Sequence, residues 1–169
     1  MQSNKVKIFV EICRKGVALP EYARHGDAGM DILAAEDVVI EPGETVIIPT
    51  GLKVAIPEGY ELQVRPRSGI SYKTPLRLSN SPGTIDSGYR DEVGIIMTNT
   101  STKYDTHDLL PISSTGNING AYSIKKGDRV AQIVLQVVPQ IVFETVDSVK
   151  DIGIDRGGGF GSTGTKKSE

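Results

Sequence analysis

Val38-Val39-Ile40-Glu41-Pro42-Gly43-Glu44-Thr45-Val46-Ile47-Ile48, resumed after Pro49-Thr50-Gly51 by Leu52-Lys53-Val54-Ala55-Ile56-Pro57-Glu58-Gly59-Tyr60-Glu61-Leu62-Gln63-Val64, is the stretch that decides the fold class. Short apolar runs are cut at Glu41-Pro42-Gly43-Glu44 and again at Pro57-Glu58-Gly59. Proline presets φ at the first corner of a turn, and glycine tolerates the positive φ that a later corner needs. The stretch therefore reads as strands at Val38 to Ile40, Thr45 to Ile48, Leu52 to Ile56 and Tyr60 to Val64, joined by tight turns.

Outward from it the pattern persists. Upstream, Val6, Ile8, Val10 and Ile12 alternate with Lys7, Phe9 and Glu11, the period of a half-buried strand. Downstream, strands are expected at Val93 to Thr98, Ala121 to Ile124, Arg129 to Val138 and Ile141 to Val146. No long segment has a helical period, and one short helix is expected after Ser68-Gly69, around Ile70 to Lys73. Many short strands at this spacing imply an all-β sandwich or barrel. Two stretches interrupt them. Thr100 to Gly120 is polar and rich in turn formers, as an insertion or long loop between two strands would be. Asp155 to Glu169 is glycine-rich and, by itself, reads as a flexible tail. The expected organisation is one β domain over residues 1–154, with a polar insertion at about residues 100–120, and an arm over residues 155–169.

Composition narrows the function classes. A net charge of −2 argues against nucleic-acid or membrane binding through bulk charge, yet leaves room for a phosphate held by a few aimed donors. Cys13 is the only cysteine, so neither an intrachain disulfide nor a cysteine zinc site is available, and a reducing compartment is expected. His25 and His107 are the only histidines, sit in no spaced ligand motif, and are expected at the surface. No apolar run reaches the ~18 residues of a membrane span and no signal-peptide pattern opens the chain, which together predict a cytoplasmic protein.

Five clusters hold the side chains with chemistry to offer. Asp27-Ala28-Gly29-Met30-Asp31-Ile32 reads as a turn before a strand, with Asp31 either a cap or a carboxylate near a cation. Arg65-Pro66-Arg67-Ser68-Gly69 reads as an exposed turn or as an anion nest. In the second case Arg67 offers a fork that matches phosphate oxygens. Asn80-Ser81-Pro82-Gly83-Thr84-Ile85-Asp86-Ser87-Gly88-Tyr89 reads as a β-hairpin arm whose free backbone groups suit the edge of a pyrimidine. Asp86 is its candidate general base and Tyr89 a flat wall. Gly127-Asp128-Arg129-Val130-Ala131-Gln132-Ile133-Val134 reads as a strand in which Gln132 is the odd polar member. Arg156-Gly157-Gly158-Gly159-Phe160-Gly161-Ser162-Thr163-Gly164 looks like a phosphate loop, but lacks the Lys-Ser/Thr ending and the strand–loop–helix setting of a P-loop. Each cluster taken alone is also an ordinary turn, strand or tail. Their order and spacing together are specific.

In that order the five clusters resemble the motifs of the homotrimeric dUTPases: Ala28-Gly29-Met30-Asp31, Pro66-Arg67-Ser68-Gly69, Asn80 through Asp86 to Tyr89, Arg129-Val130-Ala131-Gln132, and Arg156 through Phe160-Gly161-Ser162-Thr163-Gly164. The resemblance implies a distorted β jelly roll in which three subunits share three active sites. It implies Mg²⁺-dependent hydrolysis of dUTP to dUMP and pyrophosphate, which keeps uracil out of DNA and supplies dUMP for thymidylate synthesis. Uracil would be read by backbone groups around Gly83, Thr84 and Ile85, with Asn80 assisting, and the Tyr89 ring would leave no space for a ribose 2′-OH. By the same resemblance Asp86 activates the attacking water, and Arg67, Ser68, Gly69 and Gln132 act on the phosphates. Asp31 anchors Mg²⁺ through water. Phe160 stacks on uracil, while Arg156, Gly161, Ser162 and Thr163 grip the γ-phosphate. Two features depart from the pattern. Asp91 follows Tyr89-Arg90 where the family carries glycine, and the polar 100–120 region is longer than in most members. That region resembles the extra segment of some bacteriophage-type members and is an expected site for a protein partner. A dCTP deaminase on a similar fold needs a glutamate on the strand after the arm, and Gly94-Ile95-Ile96-Met97-Thr98 has none.

Overall fold

The computed structural model describes residues 5–158. Among these residues the chain forms strands β1 (Phe9–Ile12), β2 (Met30–Leu33), β3 (Val38–Ile40), β4 (Thr45–Pro49), β5 (Leu52–Ala55) and β6 (Tyr60–Arg65). One helix, α1 (Ser68–Lys73), follows. The chain continues with β7 (Leu76–Leu78), β8 (Gly83–Ile85), β9 (Gly94–Asn99), β10 (Leu110–Pro111), β11 (Tyr122–Ile124) and β12 (Arg129–Val137). Gly43 and Gly59 close the two turns read from sequence, at φ 78° and 83°, where a side chain would strain the backbone.

The longest strand, β12, is the hub of a four-stranded sheet in the order β2-β12-β6-β8. Further sheets run β4-β9-β7, β10-β11-β3 and β1-β5, and every pairing but β10 with β11 is antiparallel. Inward residues such as Ile32, Ile48, Leu62, Ile95, Tyr122 and Val130 pack into one apolar core. Burying each such side chain contributes roughly 1.5–3 kcal/mol, which conformational entropy largely offsets. Tyr122 is fully buried and donates its hydroxyl to the Ile118 carbonyl at 2.9 Å, so no polar atom of its ring is stranded. The result is nearly all β, as the strand spacing implied, and a jelly roll, as the resemblance implied.

The structure corrects two expectations. The ladder of β1 begins only at Phe9, and all four of its residues stay exposed, because β1 pairs with β5 alone. Ile141 to Val146 forms no strand. Alternation supplies the pattern of a strand, but a strand also needs a partner ladder, and Val142 and Phe143 are instead 91% and 88% exposed. The 100–120 region lies between β9 and β11 and is tied down. Buried Asn99 closes its mouth, donating Nδ2 to the Ile40 and Gly120 carbonyls and accepting from Ser101 N–H. Asn119 binds Asp105 through backbone and side chain, and Leu110 of β10 enters the core. Sequence reading also left out β7 and β10, which are too short or too mixed in polarity to show a period.

The chain divides into compact units at residues 1–139 and 140–169. The first holds every strand above, so the compact body closes at Pro139. In the described part of the second, Val149 accepts from Ile152 N–H in a turn, and Asp155 caps Gly157 N–H at 2.8 Å. No helix among the described residues is long and apolar enough to cross a membrane.

Candidate active site

Two clusters form on the four-stranded sheet. In the first, Asp31 of β2 lies directly opposite Gln132 of β12, which lies opposite Arg65 of β6. Arg67, just past β6, turns back so that Nε donates to Asp31 Oδ1 at 3.0 Å and Nη2 to Oδ2 at 3.4 Å. Arg129 Nε reaches Oδ2 at 3.2 Å, and Gln132 Nε2 reaches Oδ1 at 3.3 Å. One half-buried carboxylate thus holds two guanidinium groups and an amide. The excess positive charge and the spare N–H donors suit phosphate oxygens.

Local backbone makes this convergence. Strict alternation would send Arg129 and Gln132, three residues apart, to opposite faces. The register instead shifts between Arg129 and Ala131, and this bulge turns both toward Asp31. Gly29 permits the close approach of β2 to β12: a Cβ there would sit 3.2 Å from Val134 Cγ2 and 3.4 Å from the Ile133 carbonyl. Arg67 is the N-cap residue of α1, in extended conformation, so Ser68 and Gly69 open the helix beside it, both exposed. At the other end Asn117, at φ 53°, donates its N–H to Lys73 O at 2.9 Å and Nδ2 to Tyr72 O at 3.0 Å. A residue of the 100–120 region therefore caps the helix that begins at the arginine.

The second cluster surrounds a cavity of about 160 Å³ lined by Asn80, Gly83, Thr84, Ile85 and Tyr89 with Val64, Val93, Gly94 and Ile96. β8 pairs only with β6, so its other edge presents backbone N–H and C=O groups. Asn80 packs against Gly83, where an added Cβ would lie 3.1 Å from Asn80 Nδ2. Tyr89 is pinned at both ends: its N–H donates to Asp86 O at 3.1 Å and its hydroxyl to Glu92 O at 2.9 Å. Asp86 is exposed. The Glu92 carboxyl is held below the usual carboxylate range, chiefly by hydrogen bonds from Arg14 and also by Gly51 N–H, against a smaller opposing effect of burial.

Val64, Gly83 and Ile85 of the cavity lie on the sheet face opposite the arginine cluster, while Thr84, paired with Gln63, lies on the arginine face. Val64 pairs with Gly83 of β8 on one side and Ile133 of β12 on the other, and these residues turn to the core. Their neighbours Arg65, Gln132 and Asp31 turn to the other face. Sequence reading found Asp31, Arg67 and Gln132 for the first cluster and Asn80, Gly83, Thr84, Ile85 and Tyr89 for the second. It missed Arg129, hidden by the bulge, and the apolar wall Val64, Val93, Gly94 and Ile96, which looks like any core. Arg156 is exposed in the second unit, and Phe160, Gly161, Ser162 and Thr163 lie outside the described residues. Among the described residues no group of three or more His, Cys, Asp or Glu side chains could hold a metal.

Many known proteins are similar to this chain. The dUTPase family model matches residues 15–106. The deoxyuridine 5′-triphosphate nucleotidohydrolase of Zymomonas mobilis is 42% identical over 163 residues, spanning 95% of this chain and 99% of that one. A dUTPase structure from Staphylococcus bacteriophage 80alpha, solved with dUpNHpp, is 34% identical with a TM-score of 0.83, covering 95% of this chain and 99% of that one. A mutant dUTPase from phage phi11 of S. aureus, whose structure details coordination of a structural Mg(II) ion, is 34% identical with a TM-score of 0.74, covering 85% and 98%. The chain belongs to the dUTPase family.

Proposed function

We propose that this chain hydrolyses dUTP to dUMP and pyrophosphate at sites completed between the subunits of a homotrimer. The observation that carries the reading is the cavity against the free edge of β8, walled by Tyr89 and backed by Asn80. A pyrimidine read by backbone groups there distinguishes uracil from cytosine, since a mismatched donor or acceptor leaves a buried partner unpaired. The Tyr89 ring takes the space that a 2′-OH would need. Asp86, beside the cavity and exposed to water, is the general base for attack on the α-phosphorus.

Arg67, Arg129 and Gln132 stabilise charge that develops on the phosphates, with Ser68 and Gly69 adding donors beside Arg67. The opposed faces of the arginine cluster and of Val64, Gly83 and Ile85 in the cavity support the trimer, in which the cavity of one subunit meets the arginine cluster of another. The arm over residues 155–169 then closes, Phe160 stacking on uracil and Arg156, Gly161, Ser162 and Thr163 holding the γ-phosphate.

The donor set fits Mg²⁺ that travels with the nucleotide and not a caged ion. The first cluster has one carboxylate, both of whose oxygens already accept from guanidinium groups. Mg²⁺ keeps several waters and takes few protein carboxylates. Bound to the phosphates, it would neutralise charge and fix their conformation, with Asp31 reaching it only through water. Pyrophosphate release from dUTP, dTTP, dCTP and UTP, with and without Mg²⁺, tests the assignment. Release from dUTP alone, lost with a chelator, is expected. Equal turnover of UTP, or ammonia from dCTP, would contradict it.

A further inference from the structure

Glu92 joins two parts of the chain that the proposed chemistry does not use, Arg14 and the Gly51 turn, to Tyr89 of the cavity. Arg14, just past β1, donates Nε to Glu92 Oε1 at 2.6 Å and Nη2 to Oε2 at 2.8 Å, a two-pronged pair. Its remaining Nη1 donates to Glu36 at 2.9 Å. Gly51, in the turn between β4 and β5, donates its N–H to Glu92 Oε1 at 2.7 Å. Gly51 sits at φ 71°, and a Cβ there would meet Val17 at 2.5 Å and Arg14 at 3.1 Å, so the turn and the arginine are fitted to one another. Through its backbone, Glu92 accepts the Tyr89 hydroxyl at 2.9 Å and leads directly into Val93 and Gly94 of the cavity wall.

We infer that Arg14 and Glu92 are positioning residues for sugar discrimination, holding the Tyr89 ring against the cavity through the Glu92 carbonyl. Neither touches the nucleotide, and the inference rests on the reading of Tyr89 as the wall that excludes a 2′-OH. A tyrosine ring has two side-chain torsions to fix. The Asp86–Tyr89 turn fixes its base, and the Glu92 carbonyl fixes its tip. That carbonyl stays in place only if the residue carrying it does. Val93 N–H, bonded to Leu52 O at 2.8 Å, holds the backbone on one side, and the Arg14–Glu92–Gly51 clamp holds the side chain. Exposed ion pairs usually add little to stability, but bidentate geometry is the case in which they fix position. A lysine at position 14 has no fork and would keep only a single-point contact.

The test compares kcat/KM for dUTP and UTP in the full chain and in Arg14→Ala, Arg14→Lys, Tyr89→Phe, Tyr89→Ala and the Arg14→Ala/Tyr89→Phe double variant, each first checked for cooperative melting. Arg14→Ala and Tyr89→Phe are each expected to raise the UTP-to-dUTP ratio by about threefold to tenfold, the scale of one net hydrogen bond. The double variant should not exceed the larger single effect, because both act on one contact. Arg14→Lys should recover part of the discrimination. If Tyr89→Ala relaxes the ratio but Arg14→Ala leaves it at the wild-type value, or if the two effects multiply, the clamp is only structural and the inference fails while the wall stands. If Tyr89→Ala leaves the ratio unchanged, the wall reading fails and takes the inference with it. Should Arg14→Ala not fold, a wild-type ratio in both Arg14→Lys and Tyr89→Phe overturns the clamp equally.

Discussion

At the scale of single residues, charge placement divides the labour. Asp31 engages Arg67, Arg129 and Gln132, whereas the carboxyl of Asp86 stands in an exposed turn, free to reach a water. Asp86→Asn keeps size and polarity but takes no proton. Its kcat should fall at least ~100-fold, the low end for a general base, with dUTP affinity roughly kept. Single-turnover rates beside dUTP binding check this, and an unchanged kcat would remove Asp86 from the role. Three depressed carboxylates, Asp105, Glu92 and Asp37, contribute stability that is sensitive to acid. Asp105 is held at about 2 by Asn119, through its backbone and side chain, and then by Lys103. Glu92 and Asp37 are also held low, by Arg14 and by the Lys126 backbone N–H respectively. A depressed carboxylate stabilises the fold above its unfolded value of about 4, and that contribution is lost as pH falls through the folded value. The stability advantage of the natural chain over Asp105→Asn, read from urea melts, should be complete at about pH 6 and small by about pH 2. An advantage that grows on acidification would contradict the assignment.

At the scale of elements, the short helix α1 depends on a partner outside itself. Six residues are too few for a helix to persist alone, and Asn117 satisfies its last carbonyls from the 100–120 region. Asn117→Ala removes the side-chain bond and places alanine at positive φ, for a cost of about 1–2 kcal/mol. A lower melting temperature is expected together with weaker dUTP turnover, because Arg67 caps the start of the same helix. A drop in stability with full activity would separate the helix from the site. Such a tie was not legible in the sequence. Pro42, Gly43 and Gly59 announced their turns, and the apolar runs between turn formers announced β4, β5, β6, β9 and β12, because local chemistry dictates both. Asn80, Gly83, Thr84, Ile85 and Tyr89 were legible as one arm for the same reason. Arg129 was not, since a bulge alters the face of a residue without altering its letter. Asn117 resembled any turn former, and Ile141 to Val146 alternates as a strand should while lacking a ladder.

At the scale of the whole molecule, the proposed trimer completes sites that one chain does not complete alone. Truncation after Gly153 should leave the assembly intact and its melting unchanged without nucleotide. It should remove most dUTP turnover, since Phe160 stacking alone is worth ~1–3 kcal/mol. Dissociation into monomers on truncation would make the arm structural instead. The proposed trimer makes a sharper demand, because in it hydrolysis would draw Asp86 from one subunit and Arg67 from another. Co-expressing two differently tagged variants, Asp86→Asn and Arg67→Ala, purifying assemblies that carry both tags, and measuring pyrophosphate release from dUTP tests this directly. Each variant alone should be nearly inactive, and the mixed assembly should regain activity wherever an intact cavity meets an intact arginine cluster. A mixed assembly as inactive as its parents would mean that each chain builds its own site, and would contradict the shared-site account.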